Sequence, residues 1–262
     1  KTRIIVIKGN EYSMRGGEHT IRSITKNNLA SYLDFGLFKA VTPDNLTEYD
    51  IKKYTYPTEG VSFKHQPTGL DLNGYIGNVE PRIACLKSHM ALWKESVETN
   101  EPVLILEHDA VFSRNFKPEN VVRQLKDGDV LMLNDPRGAT RRGRIYHERI
   151  IENDFGIHPV DGVNEPNENC PDGIAGNSAY IITPKAAKKA LEYTDEYGYW
   201  PNDAILCKQL FPKKLKKAPP ISPQPKKLPA RQSYISHTIY LCSKLTVSPD
   251  KLNSGYTIWP GP

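Results

Sequence analysis

The most constraining feature of this chain is a short apolar run that stops abruptly at charge. Val103-Leu104-Ile105-Leu106 is unbroken and leads straight into Glu107-His108-Asp109-Ala110. A continuous apolar run of this length reads as a central, buried strand, one covered on both faces of its sheet. Arg3-Ile4-Ile5-Val6-Ile7 gives a second such strand, and Ile21, Ile24, Leu29 and Leu33 follow at a helical period. Asp34-Phe35-Gly36 closes that helix, and Leu37-Phe38-Lys39-Ala40-Val41 reads as the next strand. A β-α-β beginning of this kind predicts an α/β fold with a parallel sheet.

The rest of the chain extends the pattern. Residues 45–78 are polar, rich in Gly, Pro and Tyr, and without a period, so they read as one long connection. Pro81 to Thr99 predicts a strong helix, with Ile83, Leu86, Met90, Leu92 and Trp93 largely on one face and Pro81 in the first turn. A short helix is expected around Val121 to Leu125, and strands at Val130 to Leu133 and Ala179 to Ile182. Pro184 opens a helix to about Tyr193, and Asn202 to Phe211 reads as a shorter one. Lys213 to Arg231 is a Pro/Lys stretch, Ser233 to Leu241 a last strand, and the tail is irregular. The simplest organisation is a single domain of 262 residues, with a first half over 1–135 and a second half plus C-terminal wrap over 136–262.

Composition narrows the class. Hydrophobic residues make up 38% and charged residues 25%, as in a soluble globular protein. No apolar run approaches the roughly 18 residues of a membrane span. The N-terminus enters a strand without a charged-then-apolar signal segment, and the absence of an initiator Met leaves a trimmed leader open. The net charge of +5 suits phosphate-bearing ligands without requiring them. Cys85, Cys170, Cys207 and Cys242 show no C-x-x-C spacing, so free thiols in a reducing, cytoplasmic setting are expected. Neither G-x-G-x-x-G nor G-x-x-x-x-G-K-[ST] occurs, which argues against a dinucleotide oxidoreductase and a P-loop enzyme.

In an open α/β sheet, ligands bind at the carboxyl ends of the strands. Glu107 and Asp109 leave a buried strand there, and carboxylates in such a place need a partner or a metal. Mg²⁺ or Mn²⁺ favours oxygen ligands of this kind, with phosphate oxygens completing the shell. A strand that simply ends in solvent-facing acids is the plain alternative.

Pro81 to Phe112 resembles glycosyltransferase family 25, the group of lipooligosaccharide and collagen galactosyltransferases. In that family a helix with G-C-x-x-S-H and a nearby aromatic leads to a strand ending in E-D-D-A. This chain has Ala84-Cys85-Leu86-Lys87-Ser88-His89, then Leu92-Trp93, then Leu104 to Phe112 with His108 at the middle acidic position. Ala84 and Arg82 stand where the family has glycine and glutamate. Asn177 to Ala187 is similar to a family segment built on A-Y-I-I and a helix with paired alanines. Trp200-Pro201-Asn202-Asp203-Ala204 looks like its short P-x-D element.

The resemblance implies a GT-A-like fold, a Rossmann-type, mostly parallel sheet flanked by helices. It implies a hexosyl- or pentosyltransferase using a nucleotide-sugar donor, UDP-linked, and a divalent metal, Mn²⁺ or Mg²⁺. Asp109, Glu107 and His237 are the implied metal ligands. Lys8, Gly9 and Asn10 after the first strand, Thr42 after the second, and Ser88, His89 and His108 are the donor-binding candidates. Asp203 is the candidate general base, since an inverting transfer needs a carboxylate beside the acceptor hydroxyl. Its place near a helix start also suits an N-cap. Asn134, Asp135, Arg137, Arg141 and Trp200 are the acceptor-side candidates.

Two acceptors stay open. A saccharide is the family default. The arginines at 137, 141, 142 and 144 and the lysines at 213, 214, 216, 217, 226 and 227 also suit DNA, as in phage enzymes that glycosylate hydroxymethylated bases in the host cytoplasm. The same charges suit peripheral contact with a membrane surface. An inactive relative serving as a nucleic-acid-binding module is a third reading, prompted by His108.

Overall fold

A computed structural model of the chain describes residues 1–74, 76–112, 118, 121, 125–133, 171, 177–207 and 210–211. Strand β1 (Thr2–Val6) is followed by α1 (Glu11–Lys26) and β2 (Phe35–Lys39). A 3-10 turn (Pro43–Asn45), a short helix α2 (Glu48–Lys52) and a hairpin of β3 (Ser62–His65) and β4 (Leu70–Asn73) come next. The long helix α3 (Glu80–Thr99) leads into β5 (Val103–Glu107) and β6 (Val130–Met132). Strand β7 (Ala179–Ile182), helix α4 (Pro184–Glu196) and the short α5 (Asn202–Ile205) complete the described elements. The expected strand at Ser233 to Leu241 and the helix near Val121 to Leu125 fall mainly or wholly outside the described residues.

The main sheet has the order β2-β1-β5-β7-β6. β1 pairs in parallel with β2 and with β5, while β7 runs antiparallel to both β5 and β6. Four strands therefore point one way and β7 the other, giving the mostly parallel, helix-flanked sheet that the sequence implies.

Side-chain alternation divides the core cleanly. Ile4, Val6, Leu104, Leu106, Ala179 and Ile181 pack in one cluster with Ile24 of α1. Ile5, Val103, Ile105, Tyr180 and Ile182 pack in a second cluster with α3 and α4. Both faces of β5 are thus buried, which is why its sequence is continuously apolar. Cutting Ile105 back to alanine removes a fully buried side chain and costs about 2–5 kcal/mol.

Several boundaries move from the sequence reading. α1 stops at Lys26, because Asn27 Nδ2 donates to Ser23 O and the chain turns through Asn28 at φ +54°. β2 begins at Phe35, two residues before Leu37. The connection over 45–78 is not structureless but carries α2 and the β3–β4 hairpin.

Candidate active site

Strand parity decides where the acidic motif points. Glu107 is the last residue of β5 and shares the face of Val103 and Ile105, toward α3. His108 turns toward α1, where its ring meets Tyr12 edge-on at 5.7 Å. A tight turn follows, with Ala110 N donating to Glu107 O at 3.0 Å.

Helix α1 holds this turn through small and polar residues. A Cβ on Gly16 would lie 2.6 Å from His108 O, and one on Gly17 would lie 2.5 Å from a Val6 methyl. Glycine at both places lets the helix lie directly against the strands. Thr20 Oγ1 donates to Ala110 O at 2.6 Å, Phe112 N donates to Ser23 Oγ at 3.2 Å, and Asn27 Nδ2 donates to Phe112 O at 3.2 Å. The acidic turn is therefore held through its backbone.

On the α3 side, Cys85 and His89 lie one helical turn apart and face Glu107. The ligand atoms of these three residues lie within 4.8 Å of one another. His89 Nε2 is 3.4 Å from Glu107 Oε1. On its other edge, His89 Nδ1 is 2.8 Å from Tyr180 Oη, which also accepts from Trp93 Nε1 at 2.8 Å.

The P-x-D element closes the same cluster. Pro201 precedes α5, and Ala204 N donates to Asp203 Oδ1 at 3.0 Å. Asp203 reaches solvent yet is flanked by protein, and the resulting desolvation raises its carboxyl above the usual range. The Ala204 amide and the Arg82 guanidinium oppose that rise, and Glu107 adds to it. Burial pushes the Cys85 thiol well up, and the charges of Glu107 and Asp203 push it the same way. Cys85 Sγ lies 3.9 Å from Asn202 Oδ1, placed to donate.

Tyr54 arrives from the long connection. An isolated bridge pairs it with Tyr199, Thr55 N donates to Tyr199 O, and Tyr199 N donates to Lys53 O. Its hydroxyl is raised by burial, lowered by Arg82 and raised again by Asp203. Glu107, Asp203, Arg82, Cys85 and Tyr54 thus act on one another's charge at the carboxyl end of β5.

The remaining sequence candidates divide into groups. Glu107, His89 and Asp203 come together. Lys8 and Gly9 are exposed in the turn after β1, with Gly9 at φ +88°. Asn10 caps α1, its Oδ1 accepting from Ser13 N at 2.9 Å. Thr42 bonds Asn45 through both its N–H and its hydroxyl. Ser88 is buried, donating to Ala84 O and accepting from Val41 N, so it ties α3 to the end of β2. Trp200 is 0% exposed, donates to Thr55 Oγ1 at 2.9 Å, and offers no open face for a sugar. Asn134, Asp135, Arg137, Arg141 and His237 lie outside the described residues.

Arg82, Tyr54, Cys85 and Asn202 join the cluster without having been assigned a role from the sequence. For Cys85 a signal existed, namely its i, i+4 spacing from His89.

The donor set can be compared with the divalent metal that the family resemblance implies. Among the described residues, the group whose ligand atoms the structure brings together is Cys85, His89 and Glu107, and its Glu107 oxygens are of the kind Mg²⁺ or Mn²⁺ favours. Cys85 would add sulfur, which suits softer ions. Of that group, the Glu107 carboxylate fits a hard divalent ion.

A family model described as glycosyltransferase family 25 (LPS biosynthesis protein) matches residues 18–206. The chain belongs to this family and is a glycosyltransferase. Among curated proteins no relative matches. Similar solved structures include the galactosyltransferase LgtC with donor and acceptor sugar analogues, at 12% identity and TM-score 0.39, covering 80% of this chain and 70% of that one. Mouse xyloside xylosyltransferase 1 is similar at 10% identity and TM-score 0.37, covering 79% of each chain. A putative glucose-1-phosphate thymidylyltransferase from Bacillus anthracis follows at 11% identity and TM-score 0.35, covering 78% and 80%.

Proposed function

We propose that this glycosyltransferase moves a sugar from a UDP-linked donor to a saccharide hydroxyl, with a divalent ion held by Glu107 and Asp109 and with Asp203 as the base. The observation that carries the reading is the cluster of Asp203, Arg82 and Glu107 at the carboxyl end of the central strand. The ion, when bound, offsets the negative charge that grows on the departing nucleoside diphosphate.

The chain's own residues supply the rest. Asp203 takes the acceptor hydroxyl proton as the acceptor oxygen bonds the anomeric carbon. The bond from that carbon to the diphosphate breaks, and the nucleoside diphosphate leaves on the opposite face. The raised carboxyl of Asp203 brings its proton affinity closer to that of a useful base. Arg82, on the first turn of α3, opposes the rise that burial and Glu107 impose on the Asp203 carboxyl.

The family description favours an acceptor of the lipopolysaccharide kind. No helix among the described residues is long and apolar enough to cross a membrane. Action in the cytoplasm, with peripheral contact at a membrane surface, completes the proposal. The basic residues that prompted the DNA alternative lie outside the described residues, and the saccharide reading rests on the family description.

The test is a thermal-shift screen of UDP-, GDP-, ADP- and CMP-sugars with and without Mn²⁺, followed by transfer assays on saccharides. Donor at 100 times its dissociation constant adds about 2.7 kcal/mol of apparent stability. A shift that needs both UDP-sugar and metal supports the reading. Equal shifts without metal would remove the ion from it.

A further inference from the structure

Trp93, Tyr180 and His89 form a buried chain that ends at Glu107, and counting their protons fixes its direction. Trp93 and Tyr180 are fully buried, and His89 is 1% exposed. An indole N–H only donates, so Tyr180 Oη accepts from Trp93 Nε1 at 2.8 Å. The other partner of that hydroxyl is His89 Nδ1, also at 2.8 Å.

Two arrangements of the imidazole proton compete. With the proton on Nδ1, Tyr180 Oη would accept from both neighbours, and its own hydroxyl proton would be buried without an acceptor. The bare lone pair of Nε2 would also face a carboxylate oxygen 3.4 Å away. Each defect costs free energy in a dry site. With the proton on Nε2, the indole donates to the phenol, the phenol donates to Nδ1, and the Nε2 proton lies on the Glu107 side, 3.4 Å from Oε1 and short of a formed hydrogen bond. The phenol proton then has its acceptor, and a proton in place of a lone pair faces the carboxylate.

We infer that Trp93 and Tyr180 fix His89 as the Nε2–H tautomer, and that His89 is a positioning residue that orients the Glu107 carboxylate and is not itself a metal ligand. The inference separates two uses of the Cys85–His89–Glu107 cluster. A ligating imidazole needs a bare Nε2, and this chain supplies a protonated one. The ring planes fit the same picture, since His89 and Tyr180 lie nearly parallel at 21° with centroids 5.6 Å apart. The positioning role rests on Glu107 serving the proposed metal and donor site; the tautomer does not.

The first experiment is nitrogen-15 NMR of histidine-labelled protein at neutral pH. The expected result is a one-bond proton coupling on His89 Nε2 and none on Nδ1, unchanged when Zn²⁺ or Mg²⁺ is added. His89→Gln assigns the signal. A proton on Nδ1, or loss of the Nε2 proton on adding Zn²⁺, overturns the inference and makes His89 a ligand.

The second experiment is Tyr180→Phe, which removes one oxygen and keeps the ring. The Mn²⁺ concentration that half-saturates the UDP-sugar thermal shift should rise about tenfold. An unchanged value, with a native baseline melt, overturns the positioning role. A variant that fails to fold leaves the NMR of the unaltered protein to decide. If no nucleotide sugar gives a shift while the Nε2 proton is found, the proposed function fails and the tautomer assignment survives.

Discussion

Gly16 of α1 sits so close to His108 that a single methyl group would land 2.6 Å from the His108 carbonyl oxygen. That oxygen belongs to the backbone of the acidic turn and has little room to retreat. An exposed helical glycine replaced by alanine usually gains up to about 1 kcal/mol. Here Gly16→Ala should lose about 1–3 kcal/mol, the cost of overpacking. Urea denaturation gives the sign directly, and a stabilised variant would show that α1 does not clamp the turn.

Asp109→Ala should leave the melting transition near that of the parent and remove transfer. The expected loss exceeds about 100-fold, since even the neighbours of metal ligands are worth 10–100-fold. Transfer rates with saturating donor and Mn²⁺ check it. Near-normal turnover would take Asp109 out of the metal site.

Asp203→Asn should retain the metal-dependent donor shift and lower kcat by about 10²–10⁴-fold, the range for a positioned base. The pH profile follows from the raised carboxyl. The base works only when ionised, so kcat/KM should climb with pH through an inflection above the usual aspartate value near 4. An inflection at or below that value would disconnect Asp203 from the profile.

Asp50 gives a stability prediction away from the chemistry. Its side chain is buried and accepts from Lys87 Nζ at 2.5 Å and from Thr47 N at 2.9 Å. Desolvation raises its carboxyl, but the hydrogen bonds from Lys87 and Thr47 outweigh it, and the net shift is downward. A depressed carboxyl contributes stability that is full above the unfolded value near 4 and is lost as pH falls through the folded value. Lys87→Met should therefore cost about 1.5–3 kcal/mol at pH 7. The gap to the parent should close as pH drops below about 4. A pH-independent difference would contradict the linkage.

How far the sequence could be read depended on whether local pattern or distant contact placed a residue. Val103 to Leu106 and Ala179 to Ile182 were legible because strands covered on both faces are apolar throughout. The β3–β4 hairpin was not. Ser62, Phe63 and Lys64 are exposed, and alternation is confined to the four residues Leu70 to Asn73, too short a run to mark a strand. In the site, Glu107 was legible from the buried strand that ends on it, and His89 and Asp203 were reached through the family motif. Tyr54 was out of reach because Gly198 and Tyr199, far along the chain, bring it there. Gly198 takes φ +88°, and a Cβ on it would meet Thr55 at 2.6 Å, so a close backbone approach made by tertiary pairing places Tyr54 near Asp203. Asn10 and Thr42 carry a lesson of the opposite kind. Both follow strands, where donor contacts are expected, and both spend their side chains on local caps.

The reversed direction of β7 decides which end of the sheet a substitution reaches. β7 begins beside the end of β5, with Ala179 opposite Leu106, and β6 ends near the same level, with Met132 opposite Tyr180. The chain that leaves Leu133 and returns at Asn177 therefore departs and re-enters at one edge, the edge that carries Glu107. A substitution at Ala179 or Met132 therefore falls at the Glu107 end of the sheet, whereas one at Ile182 or Val130 falls at the far end, beside Val103.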